Sequence, residues 1–251
     1  LVLVNETLSK REERNFSSFE IKETDYELIS LIVSHRNEPL KLEVWNPSFR
    51  EKTRKNWVLL MPGLGGDPTH FNWLARSLSH MGWPVVVLDH PGSNSLALEA
   101  LLRGRLPLPG AEVIPDRMND LDSVLHAKKI GKIDIPAENV VLMGHSLGAL
   151  TAILVSGAKI DDQLGERCQE VLDNLSLTNL SSLLQCQLID ISLPDRKKMG
   201  NLSAIVGMNS FGSFLWQENS GNQITVPLFL TGGTFDLVTP SNSEQLGLLL
   251  S

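Results

Sequence analysis

Long apolar runs are missing from this chain of 251 residues. No stretch approaches the ~18 consecutive apolar residues that a membrane-crossing helix requires, so no segment reads as transmembrane. No basic stretch followed by an apolar one is visible, which leans toward a cytoplasmic chain. The sequence starts at Leu1 and not at a methionine, so an upstream leader stays open and the compartment is unassigned. An excess of cations is also lacking. The formal net charge is −7, which argues against nucleic acid or an anionic membrane as the main partner. Cysteine is scarce: Cys168 and Cys186 have no metal-ligand spacing to each other or to a histidine. They read as two buried thiols rather than a disulfide, with the pairing left open, and no metal or cofactor is implied. Sequons such as Asn15-Phe-Ser17 arise easily by chance and decide nothing.

What is present is an ordinary globular composition, 42% hydrophobic and 20% charged, enough to build a substantial core in one large α/β domain or two small ones. Residues 1–20 are polar and mixed and read as a flexible lead-in, leaving 21–251 for the domain. Tyr26 to Val33 and Leu40 to Trp45 alternate apolar with polar, as half-buried antiparallel strands do. The pattern then changes to short uninterrupted apolar runs: Trp57–Met61, Pro84–Leu88, Asn139–Met143, Ala204–Met208 and Val226–Leu230. Such runs are the mark of strands covered on both faces. Helical spacing lies between them. Phe71, Leu74, Ala75 and Leu78 follow an Asp67-Pro68 start and precede Gly82 as a stop. Met118, Leu121, Val124 and Leu125 make a second helix, and Leu147 to Ala158 a third, apolar on nearly all sides. The alternation predicts a mostly parallel central sheet with helices on both faces. Residues 159–200 break the rhythm with Leu- and Cys-containing helical spacing (Cys168, Val171, Leu172, Leu175, then Leu177, Leu180, Leu183, Leu184). They read as a helical cap insertion, although leucines so spaced are more often plain core.

One segment carries chemistry. Val140-Val141-Leu142-Met143-Gly144-His145-Ser146-Leu147-Gly148-Ala149 reads strand, Gly-x-Ser-x-Gly, helix, the setting that a nucleophile elbow requires. The turn is so tight that only small residues fit two positions before and after the serine, and Gly144 and Gly148 supply them. Ser146 Oγ would then stand clear of the sheet at a helix N-terminus, where amide N–H groups favour a developing oxyanion. Met61-Pro62-Gly63-Leu64-Gly65-Gly66 follows the first buried strand. That loop would give a second donor, so the backbone N–H groups of Leu64 and Leu147 form the predicted oxyanion hole. A phosphate loop would need a lysine here, and none follows. Thr231-Gly232-Gly233-Thr234-Phe235-Asp236 follows the last apolar run, and Asp236 is the candidate acid that orients a histidine. Asp190 and Asp195 are weaker candidates.

Histidine is the consequential absence. His35, His70, His80, His90, His126 and His145 all precede Ser146. His145 is adjacent to the nucleophile and reads as a packing residue; His70 and His90 follow buried strands and could line the pocket. A helix and a strand usually separate the acid from the histidine, so the catalytic base is expected beyond Ser251. The 251 residues alone are expected to be nearly inactive.

Taken together, Gly-His-Ser-Leu-Gly, Pro-Gly-Leu-Gly-Gly, Asp89-His90-Pro91-Gly92-Ser93-Asn94, Arg117-Met118-Asn119-Asp120 and Thr231-Gly-Gly-Thr-Phe-Asp236 resemble bacterial proteins assigned as dienelactone hydrolases, relatives of the plasma-type platelet-activating-factor acetylhydrolases. The resemblance implies an α/β-hydrolase fold and metal-free carboxylic-ester hydrolysis, with Ser146 matching the nucleophile, Asp236 the acid and Leu64 the oxyanion loop. Authentic dienelactone hydrolases use cysteine where this elbow has serine, so that name says little about substrate. The expected substrate is a small-molecule ester with an apolar acyl group. Acyl transfer or thioester cleavage on the same fold, and a non-catalytic binding protein, are the alternatives. The oligomeric state is unassigned.

Overall fold

The computed structural model describes residues 25–47, 53–105, 107, 109–173, 180–195 and 199–251. The lead-in at 1–20 and the leucines at 175 and 177 lie outside the described residues. Seven strands form one sheet: β1 (Glu27–Leu31), β2 (Leu40–Trp45), β3 (Asn56–Met61), β4 (Val85–Leu88), β5 (Asn139–His145), β6 (Leu202–Met208) and β7 (Leu228–Thr231). Their order is β1-β2-β4-β3-β5-β6-β7. β2 runs antiparallel to both neighbours, and the pairs from β4 through β7 are parallel. The carboxyl ends of β3 to β7 therefore meet along one edge of the sheet, where open α/β sheets bind ligands.

The runs on β3, β4 and most of β5 become strands covered on both faces. Against expectation, β6 is mostly half-buried and the run on β7 alternates between half-buried and exposed, because β7 borders the sheet. Leu59 and Met61 of β3 and Val86 and Leu88 of β4 pack into the larger core, with Ile114, Met118, Leu121 and Val124 of α3 (Ile114–Lys129). The alternate residues Val58, Leu60, Val85 and Val87 face the smaller core, with Ala75 of α1 (Asn72–His80). Each fully buried Val or Leu adds about 1.5–3 kcal/mol relative to exposure. Asp67 caps a short 3-10 helix (Pro68–Phe71) ahead of α1, and Gly82 ends it with φ 89°. α4 (Leu147–Val155) is buried along its whole length. α2 (Ser95–Leu102), capped by Asn94, follows β4 and was not predicted. Its leucines at 96 and 102 are exposed, so its apolar pattern marks no buried stripe.

Two further expectations are corrected. Glu43 was expected on the solvent side of a half-buried strand, yet it is only 5% exposed. α1 lies over that face: with its amide nitrogen turned inward, Asn72 donates to Glu43 Oε2 at 2.9 Å. Trp45 Nε1 donates to the same oxygen at 3.3 Å. The cysteines are not free thiols. Cys168 of α5 (Leu164–Asp173) forms a disulfide with Cys186 of α6 (Leu180–Gln187). Sequence spacing alone could not pair them, because the α5–α6 packing that places their Cα atoms 5.6 Å apart is a tertiary fact. These helices lie between α4 and β6, and Leu164, Leu184 and Leu188 join the larger core. Gln187 Oε1 also accepts from Ala111 N–H at 3.0 Å.

Burial is the main cause that raises Glu43 to about 7; the charges of Asp67 and Asp89 push the same way, against the Trp45 hydrogen bond. A carboxyl with a raised folded pKa loses stability as pH climbs from its unfolded value through the folded one. Glu43→Gln is therefore expected to be about 2 kcal/mol more stable than wild type above pH ~7 and indistinguishable near pH ~4, as read from urea melts. The disulfide closes a loop with a sequence separation of 18. Reduction and alkylation should lower unfolding free energy by about 3 kcal/mol in the same assay.

Candidate active site

β5 passes directly into α4 through Ser146, whose backbone has φ 51° and ψ −116°. A non-glycine residue adopts such a conformation only where its surroundings impose it. A methyl group added to Gly144 would lie 2.3 Å from the carbonyl carbon of Gly148, and one on Gly148 would lie 2.1 Å from Met61 O. The glycines are there because no side chain fits between the turn and the end of β3. The main chain of Ser146 is held on both sides: its N–H donates to Met208 O at 2.9 Å, and its carbonyl accepts from Leu150 N–H at 3.0 Å. Ser146 itself is half-buried.

The loop after β3 comes against this turn. A Cβ on Gly63 would be 3.0 Å from Ser146 Cβ. Gly66 N–H turns back to Gly63 O at 3.0 Å, and Gly65 N–H reaches Ser93 O at 2.8 Å. No hydrogen bond from the N–H of Leu64 or Leu147 is found among the described residues. Leu147 opens α4, where the first amides have no partner within the helix. Leu64 and Leu147 thus lie in the two segments flanking Ser146.

Asp236 lies in the loop after β7. Its Oδ1 accepts from the N–H groups of Val238 at 2.8 Å and Thr239 at 2.9 Å. Its Oδ2 accepts from Thr239 Oγ1 at 2.8 Å and from Asn209 Nδ2. Burial works against ionisation, but these donors outweigh it and hold the carboxyl down at about 2. Asn209 was not predicted. It follows β6 with φ 50° and its N–H donates to Thr231 O at 2.7 Å. Ser146, Asn209 and Asp236 therefore sit at successive strand ends, joined through Met208, Thr231 and the Asn209 side chain. An asparagine tolerant of the left-handed region just past a strand was the one sequence signal available.

The histidines go elsewhere. His145 stacks near Phe71 with ring centroids 5.9 Å apart, as a packing residue does. Burial pushes its imidazole below the ordinary range, and the charge of Asp236 pulls it partway back. His70 is exposed, and its Nδ1 accepts from Asp67 N–H at 3.3 Å in a helix cap. His90 is enclosed and does not line open space: its Nδ1 pairs with Asp120 Oδ2 at 2.8 Å. Burial, helped by the charge of Arg117, lowers His90 to about 4 and leaves it neutral near pH 7. His35 Nε2 and Arg36 Nε also meet Asp120 Oδ1, at 2.7 Å and 2.6 Å. Burial opposes the charge on Asp120, but His90 and Arg36 keep it ionised far below the usual carboxylate range. Among the described residues no histidine is hydrogen-bonded to Ser146 or Asp236. None of the described His, Cys, Asp and Glu residues cluster as a metal site.

This sheet order, strained serine turn and acid-bearing late loop define the α/β-hydrolase fold. Esterase 2 of Thermogutta terrifontis phosphorylated by paraoxon is similar at 16% identity and TM-score 0.53, over 91% of this chain and 79% of that one. A Klebsiella pneumoniae protein assigned as a dienelactone hydrolase is similar at 14% identity and TM-score 0.53, over 90% and 79%. Likeness at this identity establishes the fold. No protein-family model matches the sequence, and no curated protein matches it.

A carboxyl with a depressed folded pKa contributes stability above its unfolded value, and that stability is lost as pH falls through the folded one. Asp236→Asn should cost about 1 kcal/mol at pH ~7, allowing for solvent screening of this partly exposed group. The difference should close between pH ~4 and ~2 in thermal or urea melts.

Proposed function

We propose that the chain has the fold and nucleophile of a serine hydrolase acting on carboxylic esters through an acyl-enzyme on Ser146. The observation that carries this reading is the backbone of Ser146 at φ 51°, ψ −116°, in a turn packed so closely that only glycine fits at 144 and 148. In the proposed reaction Ser146 Oγ adds to the ester carbonyl. The amides of Leu64 and Leu147 take up the negative charge on the carbonyl oxygen. Collapse expels the alcohol, and water releases the acid in a second round. The likeness to an esterase that paraoxon phosphorylates supports the same class of reactivity. Apolar surface near the turn, with Leu98 against Gly65, supports a substrate with an apolar acyl part.

The chemistry needs an imidazole to take the Ser146 proton, with Asp236 orienting it. None of the six histidines of this chain is bonded to either residue. That same observation favours a second reading, a non-catalytic binding protein that keeps the fold.

A fluorophosphonate probe with added imidazole as an external base distinguishes the two. Intact-mass and peptide analysis should find the adduct on Ser146, absent from Ser146→Ala and formed faster as imidazole is raised. A folded protein that stays unlabelled at saturating probe and imidazole would establish the binding-protein reading instead.

A further inference from the structure

Behind the loop that follows β3 lies a buried cation for which the reaction has so far given no use. Arg117, on α3, is 1% exposed. One terminal nitrogen donates to Ser93 Oγ at 2.8 Å, and the other to Pro62 O. Ser93 in turn offers its carbonyl to Gly65 N–H at 2.8 Å. Pro62 and Gly65 bracket Leu64. A single guanidinium therefore holds one end of this short segment directly and the other through a single serine.

Ser93 is itself fixed. Its N–H and Oγ both donate to His90 O, at 3.2 and 3.3 Å. The His90 ring is bonded to Asp120, one helical turn beyond Arg117 on the same face of α3. Arg36 joins Asp120 to the Pro91 carbonyl at 2.9 Å. The loops after β3 and β4 thus form one body, keyed to α3 by Arg117 and Asp120. The arrangement is a costly way to gain stability. Arg117 is removed from water, its two terminal donors meet neutral oxygens and no carboxylate, and its Nε has no partner. A planar fork is, however, the side chain that can hold two acceptors at a fixed angle.

We propose that Arg117 is a positioning residue: through Pro62 O and Ser93 it sets the direction of the Leu64 N–H over Ser146. The inference rests on the reading of Ser146 as nucleophile and Leu64 as oxyanion donor, and it adds the residue that aligns that donor.

The test is the phosphonylation of Ser146 by a fluorophosphonate in the full chain with imidazole, followed over a range of probe concentrations. The limiting rate and the half-saturating concentration are then obtained separately. Arg117→Lys keeps the charge and gives up the fork. Ser93→Ala removes a single hydroxyl and tests the same link should Arg117→Lys fold poorly. Both should lower the limiting rate by about tenfold or more, as a misaligned oxyanion donor does, with the half-saturating concentration within about twofold of wild type. Val124→Ala, a core truncation on the same helix, should lower the melting temperature and leave the limiting rate unchanged. An unchanged limiting rate in folded Arg117→Lys and Ser93→Ala, or an equal loss in Val124→Ala, overturns the positioning role while the nucleophile reading stands. Failure of the wild-type chain to label overturns the nucleophile reading, and this inference falls with it.

Discussion

The closest approach in the molecule that matters to chemistry is between Gly148 and the end of β3. With 2.1 Å between Met61 O and the place a Cβ would occupy, the first turn of α4 is pressed onto a strand buried from Trp57 to Met61. That contact does two things at once. It forces the sharp bend at Ser146, and it fixes where the loop beginning at Pro62 leaves the sheet. The turn at Ser146 and the loop after β3 are therefore held against each other by one contact. The strain at Ser146, of order 1–3 kcal/mol, is held by a core that has many times that to give.

The polar groups near this edge obey a different logic. Asp120 is fully enclosed and tolerable there only because His35, Arg36 and His90 all meet its two oxygens. A neutral His90 lets its ring serve as a donor to Asp120 without adding a further buried positive charge beside Arg117 and Arg36. Asp236 is ionised by local donors of its own loop and of Asn209, independently of that cluster.

The elbow was legible because its whole cause is local: a strand, two glycines and a helix, all within one stretch of chain. The apolar runs were legible as strands for the same reason, and each falls on or overlaps one, but the run at Val226–Leu230 did not reveal that its strand lies at the border of the sheet with no buried residue. Glu43 was misread because alternation along β2 reports only its own strand and not the helix laid across it. The disulfide was misread because spacing does not say which helices pack together. Asn209, His35 and Arg36 gave almost no signal, since their roles depend on partners 27, 85 and 84 positions away. Arg117 and Asp120 were legible only as part of a resemblance; what they hold became apparent from the fold.

The sheet is not uniformly protected. β5 has a neighbour on each side, whereas β7 is bonded only to β6 among the described residues and alternates between half-buried and exposed side chains. Phe235 and Leu237, flanking the carboxylate, are 95% and 80% exposed. Detaching this border strand sacrifices little apolar contact, while disturbing the bend at Ser146 disrupts the centre of the molecule. The carboxylate and the hydroxyl thus belong to regions of unequal rigidity. Excursions at the rim would separate them long before the bend relaxes, so their alignment is governed by whatever steadies the outer border.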